Sequence, residues 1–90
     1  MPELSRFSGI VIRMYVEAGA THHRPHFHAY FGEHAAAFAI DSSERLASYM
    51  PKTQQRLVAT WAAPHRVELE ADWMLLQSGQ PPRKIDPLPQ

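Results

Sequence analysis

Pro25-His26-Phe27-His28-Ala29-Tyr30-Phe31-Gly32-Glu33-His34-Ala35-Ala36-Ala37-Phe38-Ala39-Ile40-Asp41 is the stretch that decides how this chain folds. Large apolar side chains alternate with polar or small ones at a period of two, the periodicity of a strand with one buried face. Gly32 stands at the first central position of Phe31-Gly32-Glu33-His34, which suits a two-residue type II′ turn. The sequence therefore predicts strands over His26–Phe31 and Ala35–Asp41 closed into a hairpin. The register follows from the turn: Tyr30 opposite Ala35, His28 opposite Ala37, His26 opposite Ala39 and Phe27 opposite Phe38. Phe27, Phe31, Phe38 and Ile40 then form a core face. On the other face His26, His28 and Tyr30 stand in a row against alanines, too small to cover the imidazoles from the side.

The segments around this hairpin complete the expectation. Gly9 to Val16 is a β-branched and aromatic run, read as a strand with Ile10, Ile12, Met14 and Val16 toward the core and Arg13 and Tyr15 toward the histidine face. A polar loop from Glu17 to Pro25 carries His22, His23 and Arg24. Asp41 to Met50 is a connection with room for an extra turn or a short strand. From Pro51, expected as the first helical residue, Leu57, Val58, Trp61, Ala62, His65, Leu69, Trp73 and Leu76 follow helical spacing. Glu68, Glu70 and Asp72 read as the solvated side of that helix. Pro64 removes a backbone donor and predicts a break near Ala63, and Gly79 followed by Pro81-Pro82 ends the helix. The expected fold is α+β, a small antiparallel sheet of three or more strands with a C-terminal helical segment packed on its phenylalanine face. Residues 1–90 are expected to form one domain, β-rich over 1–41, helical over 51–78 and an extended proline-rich tail over 80–90, anchored by Ile85 and Leu88.

Ninety residues support one modest core without staples. The chain has no cysteine, which excludes disulfides, thiolate metal sites and cysteine nucleophiles. No apolar stretch reaches bilayer length and Met1-Pro2-Glu3 lacks the start of a signal peptide, so the expectation is a cytoplasmic protein without membrane association. Net charge is zero, unlike that of a strongly electrostatic nucleic-acid binder. The charge is uneven, however: between Arg13 and His28 lie two arginines and four histidines against Glu17, a region that turns cationic when histidines protonate and suits an anionic ligand.

Residues two apart on a strand lie roughly 6.5–7 Å apart and point the same way, so His26 and His28 are aimed from one surface together with Arg13, Tyr15 and Tyr30. That set suits metal-free phosphodiester cleavage: one histidine is the general base on a ribose 2′-hydroxyl, the other the general acid, and Arg13 stabilises the phosphorane. Arg24, His22 and His23 are the candidate substrate-binding residues. The structural alternative is a solvated sheet face that carries polar residues because nothing covers it. A second chemistry is a metal site, in which His26 and His28 supply two ligands and a third comes from His22, His23, Glu33 or His34; no spacing specifies that third ligand, so no metal and no other cofactor is assigned. His65 reads as a hydrogen-bonded interface histidine and Trp61 and Trp73 as core residues.

Leu4-Ser5-Arg6-Phe7, Gly9-Ile10-Val11-Ile12-Arg13-Met14-Tyr15, Pro25-His26-Phe27-His28-Ala29-Tyr30-Phe31-Gly32-Glu33, Trp61-Ala62 and Lys84-Ile85-Asp86-Pro87-Leu88 together resemble the bacterial domain-of-unknown-function 4160 family. The Pro-His-Phe-His element is the most specific part. Pro64 and the additional histidine in His22-His23-Arg24 depart from the family pattern. Members are often encoded beside another small protein, so the resemblance implies a toxin–antitoxin pair with a cognate small protein as partner. The first functional expectation is the toxin of a type II pair acting as a metal-independent endoribonuclease, with RNA as partner. Its alternatives are a non-catalytic protein-binding module or antitoxin-like partner of the neighbouring gene product, and a His-ligated metal-binding protein. If the histidine face is not a substrate site, it is expected to be covered by a partner chain, a second copy included, or by the tail.

Overall fold

The computed structural model describes residues 2–16 and 24–89. Five strands pair antiparallel in chain order: β1 (Glu3–Phe7), β2 (Ile10–Arg13), β3 (His26–Phe31), β4 (His34–Ala39) and β5 (Arg45–Ala47). Two helices follow, α1 (Lys52–Ala62) and α2 (Arg66–Gln77), joined by a 3-10 turn over Ala63–His65 that contains Pro64. The chain therefore has the expected α+β architecture, with the helix break at the expected proline.

The central hairpin has the register read from its sequence, with His26, Phe27, His28 and Tyr30 opposite Ala39, Phe38, Ala37 and Ala35. Gly32 has a φ of +57° and Glu33 lies outside the left-handed region, consistent with the type II′ assignment. Three elements differ from expectation at their ends, β4 among them starting one residue early, at His34. β2 ends at Arg13 rather than Val16, because Glu3, the first residue of β1, already stands opposite Arg13; Met14 stays buried while Val16 is half-exposed. β4 stops at Ala39, and the chain turns through Ile40 to Ser43, closed by Ala39 N–H to the Glu44 carbonyl and Ser43 N–H to the Ala39 carbonyl, before β5. Pro51 precedes α1 rather than starting it, its extended ψ of 145° leaving its carbonyl to accept the Gln55 N–H.

β1 is an addition to the sequence reading. Its alternation is masked because the register shifts between Glu3 and Ser5, so Leu4 and Ser5 are both buried. Ser8 and Gly9, with φ of +49° and +77°, join Phe7 to Ile10 in a two-residue turn, and a Cβ on Gly9 would meet the Phe31 ring in ordinary contact at 3.4 Å, so it is the left-handed backbone that favours glycine there.

The helices cover the face made by Ile10, Ile12, Phe27, Ala29 and Phe38, all essentially inaccessible. Trp61 of α1 lies at the centre, its ring 5.5 Å from Phe7 and 5.9 Å from Phe27. Gly79 ends α2 with φ +77°; its N–H bonds the Leu76 carbonyl and the Gln80 N–H the Leu75 carbonyl, the paired bonds of a Schellman motif. That cap turns the chain back along α2. Residues 80–89 form no helix or strand and are tied down by Arg83 N–H to Asp72 Oδ1, Ile85 N–H to the Leu4 carbonyl and the Trp61 indole N–H to the Asp86 carbonyl, each 2.8 Å.

Asp72 departs from the solvated face assigned to it. Glu68 and Glu70 are exposed, but Asp72 is 2% exposed, since it follows Leu69 and precedes Leu76 on the inward side of α2. Desolvation pushes its carboxyl above the ordinary 3.8, the Arg83 N–H pulls against this, and the nearby Glu68 charge adds to the rise.

Two outcomes are expected. Trp61→Phe should lower unfolding free energy by about 1–2 kcal/mol through the lost hydrogen bond and volume, and Trp61→Ala by about 3–5 kcal/mol; equal urea midpoints for wild type and Trp61→Phe would contradict this role. A carboxyl with a raised folded pKa gives stability that is complete below 3.8 and lost as pH rises through the folded value. Asp72→Asn keeps an acceptor for Arg83 and removes the titration, so its stability relative to wild type should improve as pH rises from acid to neutral. A gap independent of pH would refute that assignment.

Candidate functional site

Alternation along β3 separates its side chains: Phe27 and Ala29 go into the core while His26, His28 and Tyr30 emerge, half-buried, on the opposite face. Pairing then brings the other candidates to them. Arg13 stands opposite His28 across β2–β3, and Val11 opposite Tyr30. Tyr15, two residues beyond Arg13, stacks on His28 with ring centroids 4.5 Å apart and planes 14° from parallel. His26 meets His28 edge to face at 5.1 Å. The Arg13 guanidinium lies 5.9 Å from the Tyr30 ring centre, a cation–π contact. All five residues assigned to the face from sequence are thus brought together, each touching another member.

His26 is also oriented. Its Nδ1 lies 2.9 Å from the Arg24 carbonyl oxygen. A carbonyl only accepts, so Nδ1 carries the proton and donates, and in the neutral ring Nε2 is the nitrogen with the lone pair. The second contact is Trp73 of α2, 5.2 Å away, a residue the sequence reading placed only in the core. Trp73 and the complete burial of Ala39 opposite His26 mean that this end of the histidine face is walled rather than open. Helical spacing alone did not reveal that reach, since the broken helix lets α2 take its own direction after Pro64.

Arg24 is placed beside the site but is engaged elsewhere. Its guanidinium donates to Asp41 Oδ1 at 3.1 Å, Glu44 at 3.3 Å and Ser42 Oγ at 3.4 Å, tying the start of β3 to the turn after β4. The Arg24 hydrogen bond holds the Asp41 carboxyl below its ordinary value and that to Asp41 raises the guanidinium. On the other flank the Arg6 hydrogen bond lowers the Glu3 carboxyl, with the charges of Arg6, Lys84 and Arg13 adding to it. His22 and His23 lie outside the described residues. His65 Nδ1 donates to Glu68 Oε1 at 2.6 Å and the ring packs on Trp61, the interface role read from its spacing. Among the described residues no group of three His, Cys, Asp or Glu side chains converges, so the metal alternative has His26 and His28 but no third ligand there.

Fold and site define a small α+β protein: a five-stranded antiparallel meander, helices on one face, and an arginine–tyrosine–histidine cluster on the other. The chain matches the Domain of unknown function (DUF4160) over residues 9–74 and belongs to that family. The match runs from Gly9 to Met74, so it contains the whole cluster and Trp73, while β1 and residues 80–89 lie beyond it. Comparison with curated proteins and with solved structures gives no match. No helix among the described residues is long and apolar enough to cross a membrane.

The hydrogen-bond geometry makes a spectroscopic prediction. Long-range ¹⁵N–¹H correlation above the histidine titration range should show His26 in the Nδ1–H tautomer; dominance of Nε2–H would show that the Arg24 carbonyl does not orient the ring.

Proposed function

We propose that this chain is the toxin of a type II toxin–antitoxin pair and acts as a metal-independent endoribonuclease, with the cognate small protein encoded nearby as its neutralising partner. The observation that carries this reading is the edge-to-face contact of His26 and His28, with Arg13 on the same face. His26 Nε2, which carries the lone pair when Nδ1–H donates to the Arg24 carbonyl, takes the proton of a ribose 2′-hydroxyl. The 2′-oxygen attacks phosphorus to form a 2′,3′-cyclic phosphate, and the P–O5′ bond breaks as protonated His28 gives its proton to the leaving oxygen. Arg13 stabilises the charge on the phosphorane oxygens, while Tyr15 and Tyr30 orient His28 and Arg13 through their ring contacts. A neutral chain suits this reading if phosphate is held locally, and the cluster supplies that local charge.

The protein-binding alternative is favoured by β5, an edge strand with Leu46 and the following Tyr49 exposed, because an unpaired edge is a template for a strand of another chain.

Purified protein in chelator should cleave single-stranded RNA to cyclic-phosphate ends, with His26→Ala and His28→Ala each lowering the rate by about 100-fold or more. Expression of the wild type should arrest growth, and either variant should relieve the arrest. Full activity in both variants would sink the catalytic reading, and rescue of cells from the neighbouring gene product by this chain would establish the antitoxin-like one.

A further inference from the structure

A concavity lies away from the histidines. It is a cavity of about 550 Å³ between α2 and the returning segment, and none of its lining residues belongs to the His26–His28 face. Met74, Leu75 and Ile85 form apolar walls. Asp72 lines it as a 2% exposed carboxylate whose Oδ1 accepts the Arg83 N–H while Oδ2 has no hydrogen-bond partner. Glu68 stands near Asp72, and Arg83 and Lys84 of the returning segment also line the cavity.

We propose that this cavity binds a small apolar zwitterion, an α-amino acid with a branched aliphatic side chain, its ammonium on Asp72 and its carboxylate on Arg83 and Lys84. The volume falls within the range of small-molecule sites, which are mostly apolar with a few placed polar groups. A buried acceptor without a donor is costly, and an ammonium supplies a charge-assisted one. Two bases in the lining disfavour a bare cation and two acids disfavour a bare anion, so a ligand carrying both charges matches the cavity where either half alone does not. The aliphatic side chain of the ligand covers Met74, whose 64% exposure is high for a large apolar residue. The ammonium reaches Oδ2 as the returning segment moves outward at Arg83, exchanging a closed contact for two new ion pairs.

Calorimetric and NMR titration of the full chain tests this with L-leucine, isopentylamine and 4-methylpentanoate. Leucine should bind with a Kd on the order of 1 mM, and each half-ligand at least about tenfold more weakly. Asp72→Asn should weaken leucine binding by about tenfold or more. Ala71→Leu, at an exposed helical position lining the cavity, fills the space without disturbing the core and should abolish binding. No binding by wild type, a half-ligand as tight as leucine, or leucine binding unchanged in Ala71→Leu each overturns the proposal.

Discussion

The indole of Trp61 is the contact on which three parts of the molecule depend. Its ring packs on Phe7 of β1 and Phe27 of β3, so one side chain reaches from an edge strand to the middle of the sheet. The same ring touches His65 in the turn that separates the helices, and its N–H reaches the Asp86 carbonyl. Burying an indole is favourable only when its donor is satisfied, and here the partner comes from the last ten residues or so of the chain. Sheet, helix break and returning segment are therefore coupled through one residue. A helix that continued straight through Pro64 would not leave that turn in place beside the ring.

The sheet itself sorts the chemistry. Strict alternation in β3 cannot put an aromatic residue into the core without putting a histidine out, so the identity of the site is a by-product of the same pattern that builds the core. Cross-strand pairing then determines the company each histidine keeps: Arg13 and Ala37 flank His28, and Ala39 stands against His26. Because Ala39 is buried and Trp73 abuts His26, the two imidazoles differ in surroundings: one lies against a tryptophan from the helical layer, the other under a tyrosine just beyond the end of the neighbouring strand β2. An acid and a base made from the same side chain need such a difference.

What was legible in the sequence was what short-range patterns specify. The register of the β3–β4 hairpin was readable pair by pair, because Gly32 restricts the turn and the turn restricts every pair, while the ends of β4 were not. The cluster of Arg13, Tyr15, His26, His28 and Tyr30 followed from that register. β1 was hidden by its bulge, although Ser8-Gly9 between Phe7 and Ile10 was a usable turn signal. Asp72 and Trp73 were not readable as they stand. A helical wheel says which positions face inward but not that a backbone N–H eleven residues on will meet one, or that a strand histidine will meet the other. Arg24 was legible as a cation near the site, while its attachment to Asp41 and Glu44 depended on a turn whose course the sequence left open.

The meander has a kinetic meaning. All four of its ladders join neighbours in the sequence, so the sheet can assemble by successive local closures with little loop entropy lost at each step. The bond from Ile85 to Leu4 is of another kind, for it joins nearly the two ends of the chain and is worth forming only after both the edge strand and α2 exist. The returning segment is thus the last piece to dock and the first to leave, a seam along which the domain opens before it unfolds. Amide exchange at Arg83 and Ile85 faster than at Phe27 and Ile12 would mark that seam, and a ligand or a partner that grips it would act on the lifetime of the folded chain rather than on its shape.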